Sequence, residues 1–286
     1  MSARAWALFA AVSVLWGIPY LFISVAVDHG VSPGFLAWSR VLLGALVLLP
    51  LAWRSGLLGS LRRYRRWVLV YAIIEIAIPF PLIAFGEEHV SSSVAAILIA
   101  ATPLIVAVLA RAFDHRERVG GRRLAGLLAG FAGVVALVGV DIAGNSDELV
   151  GTIAILIAAV AYAVGPMTLQ ARLSEVDPRA IMAGTLAVAT IVLTPLAAAT
   201  APELPLQAEA VVSIVVLGLF CTAAAFVLFG ALVIDVGAAR ALVITYISPV
   251  VALAAGMIVL DESLGVGMLI GLPLIIGGSW LATQGE

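Results

Sequence analysis

The chain is a succession of apolar runs separated by short polar segments. Ten runs stand out, at residues 5–27, 34–53, 67–86, 91–111, 120–140, 150–170, 180–200, 210–231, 239–260 and 264–283. Each is close to the roughly 20 residues that a helix needs to cross a hydrocarbon core of about 30 Å. None alternates apolar and polar residues as the strands of an outer-membrane barrel do. The pattern predicts an all-α polytopic membrane protein with ten transmembrane helices. The first run follows Arg4, as the apolar part of a signal peptide would. It reaches Val27, however, and exceeds the roughly 7–15 residues of such a segment, so an uncleaved first helix is expected.

Composition narrows the class further. Of 286 residues, 63% are hydrophobic and 11% charged, with a mean hydropathy of +1.19. Soluble domains carry about 45–50% apolar and about 25% charged residues. A soluble enzyme, a nucleic-acid-binding protein and a disordered chain are therefore excluded. The single cysteine, Cys221, excludes an intramolecular disulfide framework and a multi-cysteine metal site.

The charges are unevenly placed. There is no Lys, and all 15 basic residues are Arg. With the N-terminus in the cytoplasm, 14 of the 15 fall in cytoplasmic segments: Arg4, Arg54, Arg62, Arg63, Arg65, Arg66, Arg111, Arg116, Arg118, Arg122, Arg123, Arg172, Arg179 and Arg240. This is the positive-inside pattern, and topology alone accounts for the clusters. The opposite loops hold Asp28, Glu87, Glu88, Asp141, Asp147, Glu148, Glu203, Glu209, Asp261 and Glu262. Ten crossings return the C-terminus to the cytoplasm. Only Arg40 and Glu75 are left inside spans.

The two halves repeat. At an offset of 146, Trp16 falls on Tyr162, Phe80 on Phe226, and Thr102-Pro103 on Ser248-Pro249. At 145, Glu117 falls on Glu262, Gly126 on Gly271 and Gly133 on Gly278. Five spans per half is an odd number, so the second half enters the membrane from the other side. The expected organisation is a first five-helix repeat at 1–140, an external linker at 141–149 and a second repeat at 150–286. Inverted repeats of this kind are typical of secondary transporters.

These residues carry a family resemblance. Trp16-Gly17, Pro33 and Arg40, Ile78-Pro79-Phe80, Ala84-Phe85-Gly86-Glu87, Ser91-Ser92-Ser93, Thr102-Pro103 and Glu117 run in order through the first half. Ser248-Pro249, Glu262 and Gly271 repeat the later part. The ordered set resembles the EamA branch of the drug/metabolite transporter superfamily over nearly the whole chain. The resemblance implies two inverted repeats around a central cavity. It also implies a bacterial inner-membrane location and export of a metabolite, amino acid or toxic compound. The first, third and fourth helices of each half would line the cavity. The fifth helices would pack at the periphery or at a dimer interface.

Glu75 sits about halfway along the third span, where an ionised carboxylate costs roughly 2.5–3.5 kcal/mol on insertion scales. It should face the bundle interior, find a partner or be protonated. One reading is proton coupling or recognition of a substrate ammonium. The other is a structural pair with Arg40. Arg40 lies about 10 Å below the outer end of its helix and Glu75 about 12 Å from the inner end of its own. In a core of about 30 Å their depths then differ by roughly 8 Å, which a long side chain covers only in part. The repeat counterpart of Glu75 is Cys221, so the site is expected to be asymmetric.

Trp16 and Tyr162 are mid-depth aromatics, where either substrate contact or helix packing would hold them. Phe80, Phe226 and Tyr246 add aromatic surface suited to an apolar or aromatic substrate, or to a cation held over ring faces. Pro103 and Pro249 each interrupt a fourth helix, with Thr102 and Ser248 supplying hydroxyls to the freed backbone. A paired kink would suit gating. Pro19, Pro79, Pro81 and Pro166 lie on other expected cavity helices. Gly126, Gly130 and Gly133, and likewise Gly267, Gly271 and Gly278, form small-residue faces for packing inside the bundle or for a homodimer. Glu117 and Glu262 precede helix starts and are read as caps.

An intramembrane enzyme finds no support: there is no His-Glu-x-x-His, no Gly-x-Ser-x-Gly and no P-loop. No cofactor or metal is expected. The sequence reading is a secondary transporter exporting a small molecule by alternating access, with Glu75 as the coupling candidate. The alternatives are an uncoupled facilitative pathway and a non-transporting sensor or assembly protein.

Overall fold

The computed structural model describes residues 1–113, 121–142, 145–237, 241 and 243–283. Among them the protein is all-helical, with no strand. The helices are α1 (Ala3–Gly17), α2 (Pro19–Asp28), α3 (Pro33–Arg54), α4 (Leu61–Ala72), α5 (Pro79–Glu87), α6 (Ser92–Ile99) and α7 (Thr102–Phe113). In the second part of the chain come α8 (Gly121–Leu137), α9 (Ser146–Arg172), α10 (Pro178–Ala199), α11 (Ala208–Val215), α12 (Ala225–Val236), α13 (Ile244–Val259) and α14 (Val266–Thr283). Seven helical stretches are long and apolar enough to cross a membrane. Three shorter apolar helices, Leu124–Val140, Ile244–Val259 and Val266–Leu281, lie at the fifth, ninth and tenth expected spans. The protein is a multi-pass membrane protein.

Helix starts follow local chemistry. The Ser2, Ser32 and Ser91 hydroxyls accept from the Ala5, Phe35 and Val94 amides and cap α1, α3 and α6. Asp177 accepts from the Arg179 amide at 2.8 Å and caps α10, which opens on Pro178. The Arg179 guanidinium beside it holds the Asp177 carboxyl below the usual carboxylate range.

The helix contacts come in exchanged pairs. Helix α3 packs on α10, and α8 on α14, each joining equivalent helices of the two halves. The pair α5–α9 is mirrored by α12–α1, and the pair α6–α9 by α13–α1. The third helix of each half also carries a π-helical stretch, Ile73–Ala77 between α4 and α5 and Val216–Ala224 between α11 and α12. At the offset of 146, the first stretch falls inside the second.

The fourth helices differ. Between α6 and α7 the helix breaks at Ala100–Ala101, just before Pro103. Proline cannot donate to the carbonyl of Ile99, and the Thr102 hydroxyl does so instead at 2.7 Å. In the second half α13 runs through Pro249 unbroken, so the expected paired interruption is present on one side only.

The glycine faces meet each other inside the chain. A Cβ at Gly133 would lie 2.9 Å from the Gly271 carbonyl and 2.8 Å from the Leu274 Cβ, and one at Gly278 would press on the Gly126 and Gly130 backbone. Gly130, Gly133, Gly271 and Gly278 are thereby packed between α8 and α14. Glu117 lies outside the described residues. Replacing Gly278 by Val should overpack this seam at a cost of about 1–3 kcal/mol. Thermal unfolding in detergent should show a lowered Tm, whereas Gly277→Val, with open space around its Cβ, should leave Tm nearly unchanged.

Candidate functional site at the interface of the two halves

The site is built where the π-helical stretches of the two third helices face the opposite half; a further one, Val138–Ile142, ends the fifth span away from it. Glu75 lies in Ile73–Ala77, a stretch that packs on α9 and α10. Its Oε2 is buried and has no hydrogen-bond partner. It rests against Gly165 of α9, where any Cβ would overlap that oxygen. Gly165 is thus required for the carboxyl to occupy this position. Sequence reasoning missed Gly165; its place directly before Pro166 in a span is the signal that could have found it.

Arg40 does not reach Glu75. Its Nε donates to the Thr222 Oγ1 at 2.9 Å, and its guanidinium lies over the Phe80 ring, 4.2 Å from the centroid. Thr222 belongs to the second π-helical stretch and in turn donates to the Leu217 carbonyl at 2.8 Å, five residues back. This chain satisfies a carbonyl of widened helix and ties α3 to the other half. Among the described residues Arg40 forms no ion pair, and the structural Arg40–Glu75 pair is not formed. Tyr162 of α9 stands within electrostatic range of both Arg40 and Glu75.

The other candidates divide. Phe80, Phe226 and Tyr162 join one apolar cluster with Ile76 and Ala223. Trp16 packs edge-on to Phe226 with ring centroids 5.9 Å apart, and against Phe229 at 4.8 Å. An aromatic path therefore runs from α1 through α12 to the Arg40 pair. The Tyr246 hydroxyl lies 3.4 Å from the Ser279 carbonyl of α14. Ser248 and Pro249 sit where α13 crosses α1: the Ser248 carbonyl would lie 2.8 Å from a Cβ at Gly17. Thr102 and Pro103 mark the α6–α7 break.

Two carboxylates are not where the sequence placed them. Glu87 was expected in an outer loop, but it ends α5 and is 5% exposed. Glu262 was expected to cap the helix that follows it. Instead it accepts from the Ser92 amide at 2.8 Å, the Ser93 amide at 3.1 Å and the Ser93 hydroxyl, and so caps α6 of the other half. Neither location is written in local pattern, because both depend on which helix ends meet across the halves.

With the geometry in place, comparison with known proteins supplies the family. The EamA-like transporter family model matches twice, over residues 4–139 and 149–284. The chain belongs to the EamA-like transporter family. A transporter of uncharacterized role from Archaeoglobus fulgidus is 25% identical over 283 residues, 98% of this chain and 99% of that one. A protein of Escherichia coli strain K12 named as a probable amino-acid metabolite efflux pump is 24% identical, covering 100% of this chain and 96% of its own. A solved structure with 21% sequence identity matches the fold at a TM-score of 0.67, covering 99% and 98% of the two chains. Family and relatives indicate a transporter rather than an enzyme.

Replacing Thr222 by Val should leave the Arg40 guanidinium and the Leu217 carbonyl without this hydroxyl. The expected loss is about 1–3 kcal/mol, read as a lower Tm in detergent. Thr222→Ser, which keeps the hydroxyl, should hold Tm closer to that of the wild type.

Proposed function

We propose that the protein is a secondary exporter of the bacterial inner membrane, with both termini cytoplasmic and ten spans arranged as two inverted five-helix repeats. It moves a small metabolite, amino acid or drug-like compound by alternating access, coupled to protons through Glu75. The exchanged helix pairs, the equivalent π-helical stretches and the two family matches support the repeat. Arg placement supports the orientation.

The observation that carries the coupling role is the Glu75 carboxyl at the interface of the halves. Its Oε2 is buried, unpartnered and seated on Gly165 of the opposite half. An unpaired carboxyl at membrane depth is held as the neutral acid, and it ionises when water or a cationic group reaches it. Rearrangement of one half against the other is the event that would open this contact. A substrate ammonium could then replace the proton, with Phe80, Phe226, Tyr162 and Trp16 offering ring faces to its apolar or cationic parts. Π-helical turns recur at functional sites, and a widened turn is a place where a helix can change register.

Flux into proteoliposomes tests this, using a panel of amino acids, amines and aromatic metabolites. A pH gradient should drive uptake of a substrate, and Glu75→Gln should abolish the gradient-driven part while leaving substrate exchange without a gradient. Unchanged pH dependence in Glu75→Gln would show that coupling does not run through Glu75. Wild-type flux that ignores the gradient would favour the facilitative pathway, and no flux across the panel the sensor.

A further inference from the structure

Glu87 is a second buried carboxyl that the Glu75 site does not use. It stands twelve residues further along the same span, about 18 Å of helix, at the end away from the Arg-rich segments. Both of its oxygens are buried and no side chain hydrogen-bonds to either. Four titratable groups lie within electrostatic range of it: Tyr20 and Asp28 from α2, Arg40 from α3 and Glu262 from the segment before α14. The Ser24 backbone of α2 is the one polar group positioned to donate to it. Arg40 is the only cation among these neighbours, and its Nε is already bound to Thr222.

The second observation is what Glu262 does at the same end. It holds the Ser92 and Ser93 amides at 2.8 and 3.1 Å together with the Ser93 hydroxyl, clasping the first half to the second. The turn before Ser92 is tight: the His89 and Val90 amides donate to the Gly86 carbonyl at 2.9 and 3.0 Å. Glu87 is thereby kept close to the clasp. An ionised carboxylate at a helix N-terminus is favourable, because the amides and the helix dipole are positive there. A second negative charge beside it, in a region poor in water, is unfavourable to both.

We propose that Glu87 is a proton-binding site at the Arg-poor end of the bundle, and that loss of its proton loosens the Glu262 clasp between the two halves. With Glu87 neutral, Glu262 is the sole charge competing for the α6 amides and the clasp is closed. With Glu87 ionised, the two carboxylates repel and the clasp yields. The site would let the proton activity on one face of the membrane set how readily that end opens. It rests on the membrane-spanning arrangement but on no substrate, and it stands whether or not Glu75 couples transport.

The test uses the full-length protein with Cys221→Ala and a reporter, Val90→Cys, placed at a position only 8% exposed beside the clasp. Labelling by a charged maleimide is compared with and without Glu87→Gln, so that the reporter thiol's own pH dependence cancels in the ratio. At about pH 5 the two proteins should label alike, and by about pH 9 the protein with Glu87 should label at least roughly threefold faster. Adding Glu262→Gln to both should abolish that difference. A ratio that stays constant with pH, or a pH-dependent ratio that survives Glu262→Gln, overturns the proposal. Glu87→Met, equally uncharged, makes the same comparison if Glu87→Gln does not fold.

Discussion

Inside a bilayer every polar group must be matched by the protein, since no water is at hand to do it. Several buried groups obey this rule through a side-chain hydroxyl or carboxylate aimed at the backbone or at a charge. Thr102 answers the carbonyl that Pro103 leaves open. Thr222 answers Leu217 and receives Arg40. Glu262 answers the first amides of α6. The Arg40–Thr222 and Glu262–Ser92/Ser93 bonds join the halves, so there burial cost and inter-half assembly are met together. The two carboxyls left out of it, Glu75 and Glu87, stand on the same span near its middle and at its Arg-poor end.

The near-symmetry of the halves makes their differences informative. The π-helical stretches occupy equivalent places, yet one carries Glu75 where the other carries Cys221, and Thr222 stands where the first half has Ile76. Acid and hydroxyl are thus distributed one to each half rather than duplicated. The hydroxyl is spent on Arg40, while the acid is left without a partner. The fourth helices differ likewise, broken at Pro103 and continuous through Pro249.

Much of this was legible in the residues. Apolar runs of membrane length placed the helices, because an exposed backbone cannot cross lipid any other way. The recurrence of Thr102-Pro103 as Ser248-Pro249 and of the glycines at 126, 133, 271 and 278 exposed the duplication. Glu75 stood out because a carboxyl in Ile-Ile-Glu-Ile-Ala has no local excuse. Three features were not legible. Gly165 matters only because Glu75 rests on it. Glu87 reads as a loop residue beside Glu88 until α5 and α2 close over it. Glu262 caps a helix 170 residues away. Each is a property of the contact between halves, which no window of sequence contains.

The central claim is the proposed one, that the buried Glu75 carboxyl at that contact carries the coupling proton. Infrared difference spectroscopy between the wild-type protein and Glu75→Gln, at neutral pH in lipid, reads it directly. The account predicts a protonated carboxylic-acid carbonyl band present in the wild type and missing from Glu75→Gln. Only carboxylate bands in that difference would mean that Glu75 is ionised in the resting protein, and would contradict it.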